Sequence, residues 1–586
     1  MQSAMRRDLR GMLLAMVLLA GIAHVHAQRP PPERSSGWTD KSPVTSRRFM
    51  VAAANPLAVE AGYRILKQGG SAVDAAITVQ LVLNLVEPQS SGIGGGAFML
   101  FHDGKRGRLV AYDGRETAPA AARPDRFLDA DGKPMGFVAA VIGGRSVGVP
   151  GVVALLGEAH RRHGRLPWAR LCAPAIQLAE EGFAISPRLA TLLAAERHFV
   201  QPQSREYFLD ADGRPRAAGT ILRNPAFART LRAIAAGGAA VFYRGEIARD
   251  IVNTADSFAP NPGDLTLSDL VNYRVKVRMP VCGAYRAYKV CGVPPPSSGG
   301  TTVLQMLGML EPYDLASMGP ASFWSVHFFS EAGRLAFADR NVFMADPDFF
   351  AMPSGLLDRE YLSERSRQIR TDRSLGVAPP GDPPMPAQAR KAARGRDAAL
   401  ELPSTSHISI VDAEGNAVAM TTTIEDAFGS RLMTAGGFLL NNQLTDFSFV
   451  PDENGAPVAN RVEPGKRPRS AMAPTIVYDR AGRVLMIVGS AGGPAIINDV
   501  ARTLIGVLDW GLDPQAAVAL PGFGSRNGPT ELEAGQPVEA LAPRLRALGH
   551  ETIVTGHASG LEAIVRTKDG WIGGADPRRE GTAMGD

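Results

Sequence analysis

Ser406-His407-Ile408-Ser409-Ile410-Val411 alternates as a β-strand does, and Thr405 stands at its start. A turn through Asp412 to Asn416, with Gly415, leads into a second strand from Ala417 to Thr423. Upstream, residues 375–403 hold six prolines between Pro379 and Pro403 and no apolar period, so they read as a linker. An exposed linker running straight into a strand that begins with Thr suits an autoprocessed N-terminal nucleophile. Cleavage of the Ser404–Thr405 bond would place a free α-amine beside the Thr405 hydroxyl. With a pKa of about 7.7–8.0, that amine can serve as the base without a histidine. Thr at a strand edge is also simply a good β-former, and on local chemistry alone that plainer account prevails.

Outward from this stretch the signals are those of a packed α/β protein. Asn55-Pro56 opens a helix closed by Gly69-Gly70, and Ser71 with Asp74 opens another that runs to Val86. Gly94-Gly95-Gly96 precedes a strand from Ala97 to Phe101, followed by Arg108 to Tyr112. Residues 150–362 read as mostly helical, and Val484 to Val488 as a strand running into Gly489-Ser490-Ala491-Gly492-Gly493. Strands and helices thus come from both sides of the linker, and no point cleanly separates two independent domains.

The chain has 586 residues, 45% hydrophobic and 21% charged, which excludes global disorder and a polytopic membrane protein. Its net charge of +5 is dispersed: only 9 of the 63 basic residues are Lys, and the tightest group, Arg390, Lys391, Arg394 and Arg396, sits in the linker. Nucleic acid is therefore not the expected partner. Arg6, Arg7 and Arg10, the apolar run Gly11 to Ala23, and Val25-His26-Ala27 read as a signal peptide cleaved after Ala27. The run is too short for a stable membrane span. Residues 28–47 are expected to form a flexible leader, and the protein to be periplasmic or secreted. Cys282 and Cys291 flank a possible hairpin and are either a disulfide or two buried thiols; Cys172 is the third cysteine. No metal site is expected from the scattered histidines. The glycine runs lack the spacing of nucleotide-binding loops. Gly144-Arg145-Ser146-Val147-Gly148, after a strand-like Phe137 to Ile142, matches a nucleophile elbow, against the simpler reading of a Gly-rich turn.

Longer motifs decide among these. Thr405 to Ile410, Gly415-Asn416-Ala417-Val418, Thr421 to Glu425 and Phe428-Gly429 closely resemble the signature of the γ-glutamyltranspeptidase family. Similar stretches continue at Pro294 to Gly300, Ala338-Asp339-Arg340, Asp346 to Phe349, Leu440 to Gln443, Asp446-Phe447-Ser448 and Lys466-Arg467-Pro468. The resemblance implies a four-layer αββα Ntn-hydrolase sandwich, one core built from two autoprocessed subunits, 48–404 and 405–586. It implies Thr405 as nucleophile, Thr423 as the hydroxyl that orients it, and Gly492 and Gly493 as oxyanion-hole donors. Arg115 would clamp the substrate α-carboxylate, with Ser470 beside it, and Gln443 and Asp446 would hold the α-ammonium. The activity implied is γ-glutamyl hydrolysis or transpeptidation, on glutathione-like amides with amino-acid or peptide acceptors, without cofactor.

Three departures stand out. Glu425 occupies a position where Asn is familiar, so two carboxylates would face the α-ammonium, favouring a donor with a free amine. Ser470-Ala471 replaces a Ser-Ser pair. Residues 449–465 form a shorter loop without Tyr, which implies an open site. The alternatives are an acylase of the cephalosporin or glutaryl type, which Glu425 argues against, and an unprocessed relative that binds γ-glutamyl compounds without turnover.

Overall fold

Two seven-stranded antiparallel sheets stack face to face, each covered by helices on its outer side. The computed structural model describes residues 35, 37–385, 393–402 and 404–586. The expected signal peptide with its cleavage after Ala27, the start of the leader, and Arg390 and Lys391 lie outside the described residues.

Alternation along the strands builds the layers. Val51, Ala53, Ile408, Ile410, Val418 and Met420 point to one face of the first sheet. There they meet the helices Pro56–Lys67 and Ala72–Val86. Met50, Ala52, Val411, Ala417 and Ala419 point the other way, into a second core shared with the other sheet. The helices Gly299–Leu310, Phe323–Phe343 and Ala495–Leu508 close that side. This is the four-layer αββα sandwich. Ala72–Val86 is buried along its whole length and mostly apolar, and its Ser71–Asp74 capping box forms as the sequence predicts.

Both sheets draw strands from both sides of the linker. In the first, Ser406–Val411 lies between Met50–Ala53 and Ala417–Thr423, and Ala417–Thr423 pairs in turn with Gly96–Asp103. In the second, Thr475–Tyr478 pairs with Tyr288–Gly292. Neither half could close a core alone.

Two expectations need correction, and the Gly-rich-turn reading of Gly144–Gly148 holds over the nucleophile elbow. The leader, expected to be flexible through residue 47, is anchored: Val44–Ser46 pairs with the strand Trp571–Ala575. Lys41 Nζ also donates to the carbonyls of Asp576, Arg579 and Gly581 at 2.5–2.7 Å. Phe137–Val141 is a short helix rather than a strand. Ser146 is no exposed nucleophile, because it is buried and its hydroxyl is spent on the carbonyls of Val141 (2.6 Å) and Gly143 (3.0 Å). Cys282 and Cys291 face each other across a hairpin and are disulfide-bonded. Cys172 is a buried thiol, its pKa pushed up to about 12 by desolvation.

Candidate active site

Strand register brings Thr405 and Thr423 together. Ser406 pairs with Thr422, so the residues flanking that pair sit side by side at the sheet's end. The chain is uncut here, and the Ser404 carbonyl oxygen receives two hydroxyls, Thr405 Oγ1 at 2.6 Å and Thr423 Oγ1 at 2.7 Å. The two threonine oxygens are 3.4 Å apart. Glu425 N–H donates to Thr423 Oγ1 at 2.9 Å, which polarises the Thr423 hydroxyl toward the carbonyl. The Ser404 hydroxyl is tied to the Gln89 carbonyl (2.7 Å), and Arg579 Nη1 holds the Thr405 carbonyl at 3.0 Å.

Glycines let the backbones close on this point. A side chain at Gly95 would collide with the Thr423 carbonyl, and one at Gly96 with the Glu116 carboxyl. The Gly94–Gly96 run is thus a close-packing device rather than a phosphate loop. Gly492 and Gly493, both at positive φ (126° and 58°), lie in the turn before the helix Ala495–Leu508. Among the described residues no hydrogen bond joins this turn to Thr405 directly. Arg579 holds the Ala558 carbonyl at 3.2 Å while also gripping Thr405.

A second group of residues lies alongside. Arg115 is fully buried and donates to Asp446 Oδ2 (2.5 Å) and to the carbonyls of Pro468 (3.1 Å) and Arg469 (2.9 Å). Gln443 Nε2 reaches the same Asp446 oxygen at 2.6 Å. The Glu425 carboxylate accepts from Asn442 Nδ2 and from Thr445 Oγ1 (3.3 Å), so the two groups adjoin. Ser470 follows, its Oγ accepting from Met472 N–H at 3.1 Å. Burial raises the Asp446 carboxyl to about 6, opposed by Arg115. Burial, and then the charge of Asp446, raise Glu425 well above the usual carboxyl range.

Three buried atoms in this group have no hydrogen-bond partner: Arg115 Nη1, Gln443 Oε1 and Glu425 Oε1. One cationic donor and two acceptors are left open where buried polar groups are normally satisfied. A carboxylate and an ammonium on one carbon would complement them.

Several residues here escaped sequence reasoning. Arg579, one of 54 arginines, carries no local signal. Glu116, buried beside Arg115 (3.9 Å) with both oxygens unpartnered, is raised to about 8 by burial. Glu401, Arg340 and Arg469 form a buried ion cluster at the end of the linker. His327, Glu331 and His550 are also brought together, away from Thr405 in sequence and in partners. Thr530, His550, His327 and the Arg370 carbonyl form an unbroken hydrogen-bonded chain, and Arg334 sits 2.9 Å from Glu331. With each ring nitrogen engaged and a guanidinium adjacent, this cluster is a packed polar network rather than a cation site.

Comparison with known proteins identifies the family. A family model described as Gamma-glutamyltranspeptidase matches residues 58–586. The glutathione hydrolase proenzyme of Bacillus subtilis (strain 168) is 35% identical over 585 residues, covering 98% of this chain and 97% of that protein. Cephalosporin acylase from Bacillus halodurans superposes with a TM-score of 0.81 at 28% identity, covering 95% of this chain and 99% of that one. Helicobacter pylori γ-glutamyltranspeptidase gives 0.52 at 36% identity, covering 59% of this chain and 95% of that one. On the match across 58–586 and the full-length relative, the chain belongs to the γ-glutamyltranspeptidase family.

Proposed function

We propose that this protein is an exported proenzyme that cuts its own Ser404–Thr405 bond and then hydrolyses or transfers γ-glutamyl groups from glutathione-like amides. The observation that carries this is the pair of hydroxyls on the Ser404 carbonyl, Thr405 at 2.6 Å and Thr423 at 2.7 Å. In maturation Thr405 Oγ attacks the Ser404 carbonyl carbon, its proton passes to the departing Thr405 nitrogen, and an ester forms. Water then hydrolyses the ester, releasing the Ser404 carboxylate and a free Thr405 amine. The products are a large subunit, 28–404, and a small subunit, 405–586, which stay associated because both sheets contain strands of both.

In turnover the freed amine takes the Thr405 hydroxyl proton as Oγ attacks the γ-carbonyl, then gives it to the leaving amine. Thr423 orients the nucleophile, and the N–H groups of Gly492 and Gly493 receive the oxyanion. Arg115, with Ser470 nearby, takes the α-carboxylate, while Gln443, Asp446 and Glu425 take the α-ammonium. The open Arg115 Nη1, Gln443 Oε1 and Glu425 Oε1 support this assignment. Water or the amine of an amino acid or peptide completes the cycle, with no cofactor in any step. Export rests on the signal-like first 27 residues, and no helix among the described residues is long and apolar enough to cross a membrane. The likeness to a cephalosporin acylase favours a second reading, hydrolysis of a glutaryl-type amide. Two carboxylates at the amine end, Glu425 and Asp446, oppose it.

Intact-mass analysis of wild type and Thr405→Ala, followed by a γ-glutamyl amide assay on both, tests the proposal. Fragments splitting at Ser404/Thr405 and turnover in wild type alone are expected. An uncut, inactive wild-type chain would instead indicate a binding protein. Cleavage of glutaryl but not γ-glutamyl amides would indicate the acylase.

A further inference from the structure

The leader runs beside the turn that precedes the C-terminal strand Thr582–Gly585. Val44–Ser46 pairs antiparallel with Trp571–Ala575, and residues 576–581 follow directly on that strand. Upstream of Val44 the leader continues along the turn and takes up its carbonyls. Lys41 Nζ donates to those of Asp576 (2.6 Å), Arg579 (2.7 Å) and Gly581 (2.5 Å). Thr39 N–H donates to the Pro577 carbonyl at 2.9 Å and Ser35 Oγ to that of Arg578 at 3.2 Å. The Trp38 ring adds a contact 4.9 Å from the Arg578 guanidinium. Five of the six carbonyls from Asp576 to Gly581 thus end on donors of the leader.

One residue of this turn reaches the nucleophile. Arg579 Nη1 holds the Thr405 carbonyl at 3.0 Å, and its Nη2 holds the Ala558 carbonyl at 3.2 Å. A cut before Thr405 would make that residue a chain end, so a grip on its carbonyl then matters more. The Arg579 backbone depends in turn on Lys41. Its carbonyl is one of the three on the ammonium, and its N–H reaches the Asp576 carbonyl, another of the three, only at 3.4 Å. An ammonium has three N–H donors, and all are used here. Three carbonyl oxygens converging on one point repel one another unless a cation sits between them. The carboxyls of Asp576, Glu562 and Glu580 act on the same ammonium, adding to the negative field. Without Lys41 the turn opens to separate these oxygens, and Arg579 moves with it.

Resting on the proposed self-cleavage and turnover at Thr405, we propose that Lys41 is a positioning residue for the nucleophile. It holds the 576–581 turn in the one shape that keeps Arg579 on the Thr405 carbonyl. Lys41 touches no reacting atom and acts through Arg579 alone. Its effect therefore falls on the step that needs Thr405 Oγ in place, the attack on the Ser404 carbonyl in maturation and on the γ-carbonyl in turnover. Donor binding is spared, because Arg115, Gln443 and Asp446 bond to one another and to residues 468 and 469, away from this turn. The leader is thus a working part of the large subunit, joined to the small subunit's C-terminal turn by one ammonium.

Lys41→Ala in the full chain tests this, because it empties a space that a propylammonium ion fills. Self-cleavage of freshly purified protein, followed by intact mass, should slow by about tenfold to 10²-fold, as small misplacements of a reacting group do. Propylammonium chloride should restore the rate as its concentration rises, without speeding wild type, whereas tetramethylammonium, which has no N–H, should not. On matured protein, with rates taken per mole of exposed Thr405, kcat for γ-glutamyl-p-nitroanilide should fall by a similar factor while KM stays within about twofold. Equal rates for wild type and Lys41→Ala overturn the proposal. So does a slow variant that propylammonium fails to restore, which would mark a general loosening of the leader, or a rise in KM with kcat unchanged. If wild type itself neither cuts nor turns over the anilide, the reading of Thr405 has failed; if it does both and Lys41→Ala keeps pace, only the role of Lys41 has failed.

Discussion

The hydroxyl of Thr423 lies 2.7 Å from the carbonyl oxygen of Ser404 and donates to it. A donor fixed at the oxygen of the bond to be cut stabilises negative charge as that carbon becomes tetrahedral. Thr423→Val keeps the strand-forming shape and removes only the donor. Self-cleavage should slow by about 10²-fold, the typical worth of one such donor. Thr423→Ser should cut at a rate near wild type. A time course of intact mass on freshly purified protein measures both, and equal rates for wild type and Thr423→Val would remove Thr423 from the cleavage step.

Gly95 supports the same point from behind. A methyl group there would press on the Thr423 carbonyl oxygen and the Ile424 side chain, in a buried region with nowhere to yield. Gly95→Ala should destabilise the protein by about 1–3 kcal/mol, as overpacking does, and slow self-cleavage by shifting Thr423. Denaturant unfolding of the uncut Thr405→Ala background, with and without Gly95→Ala, isolates the stability effect. No change in either quantity would show that the glycine is not required for this approach.

The strand at Thr405 is legible because alternation and a proline-rich approach both mark it, and Ser71 and Asp74 mark their helix through a local hydrogen-bond pair. Arg115, Gln443, Asp446 and Glu425 are found through motifs, since nothing local in each of them predicts that they converge. What escapes the sequence is long-range. Arg579 reaches Thr405 across 174 residues, and Glu401 meets Arg340 and Arg469 from 61 and 68 residues away. Lys41 escapes for the opposite reason: a Pro/Ser/Arg-rich leader reads as mobile, yet three carbonyls of the C-terminal turn bind its ammonium. Ser146 shows a short motif misleading, because the pattern fits while the hydroxyl is already consumed.

Glu116 should make stability fall with pH. Burial raises its carboxyl from 4.5 to about 8, so the folded state prefers the protonated form. That contribution is complete below the ordinary value of 4.5 and is lost as pH rises through about 8. Glu116→Gln has no proton to lose. The difference in unfolding free energy between wild type and Glu116→Gln, both in the Thr405→Ala background, should therefore shift against wild type by on the order of 2 kcal/mol or more between pH 5 and 8. A difference that stays flat across this range would mean that Glu116 titrates like an exposed acid.

Glu425 and Asp446 together should decide how the site treats a charged amine. Glu425 Oε1 is buried without a partner, and the nearby Asp446 charge adds to burial in raising the Glu425 carboxyl. An α-ammonium placed between them relieves both effects, so binding it should draw protons off the pair. Glu425→Gln removes one of the two charges while keeping a hydrogen-bond acceptor. KM for a free-amine γ-glutamyl donor should rise about tenfold, the worth of a charge-assisted hydrogen bond, with a much smaller effect on kcat. Steady-state kinetics from pH 5 to 9 on both proteins provide the check. A drop in kcat with KM unchanged would place Glu425 in the chemical step rather than in recognition of the amine.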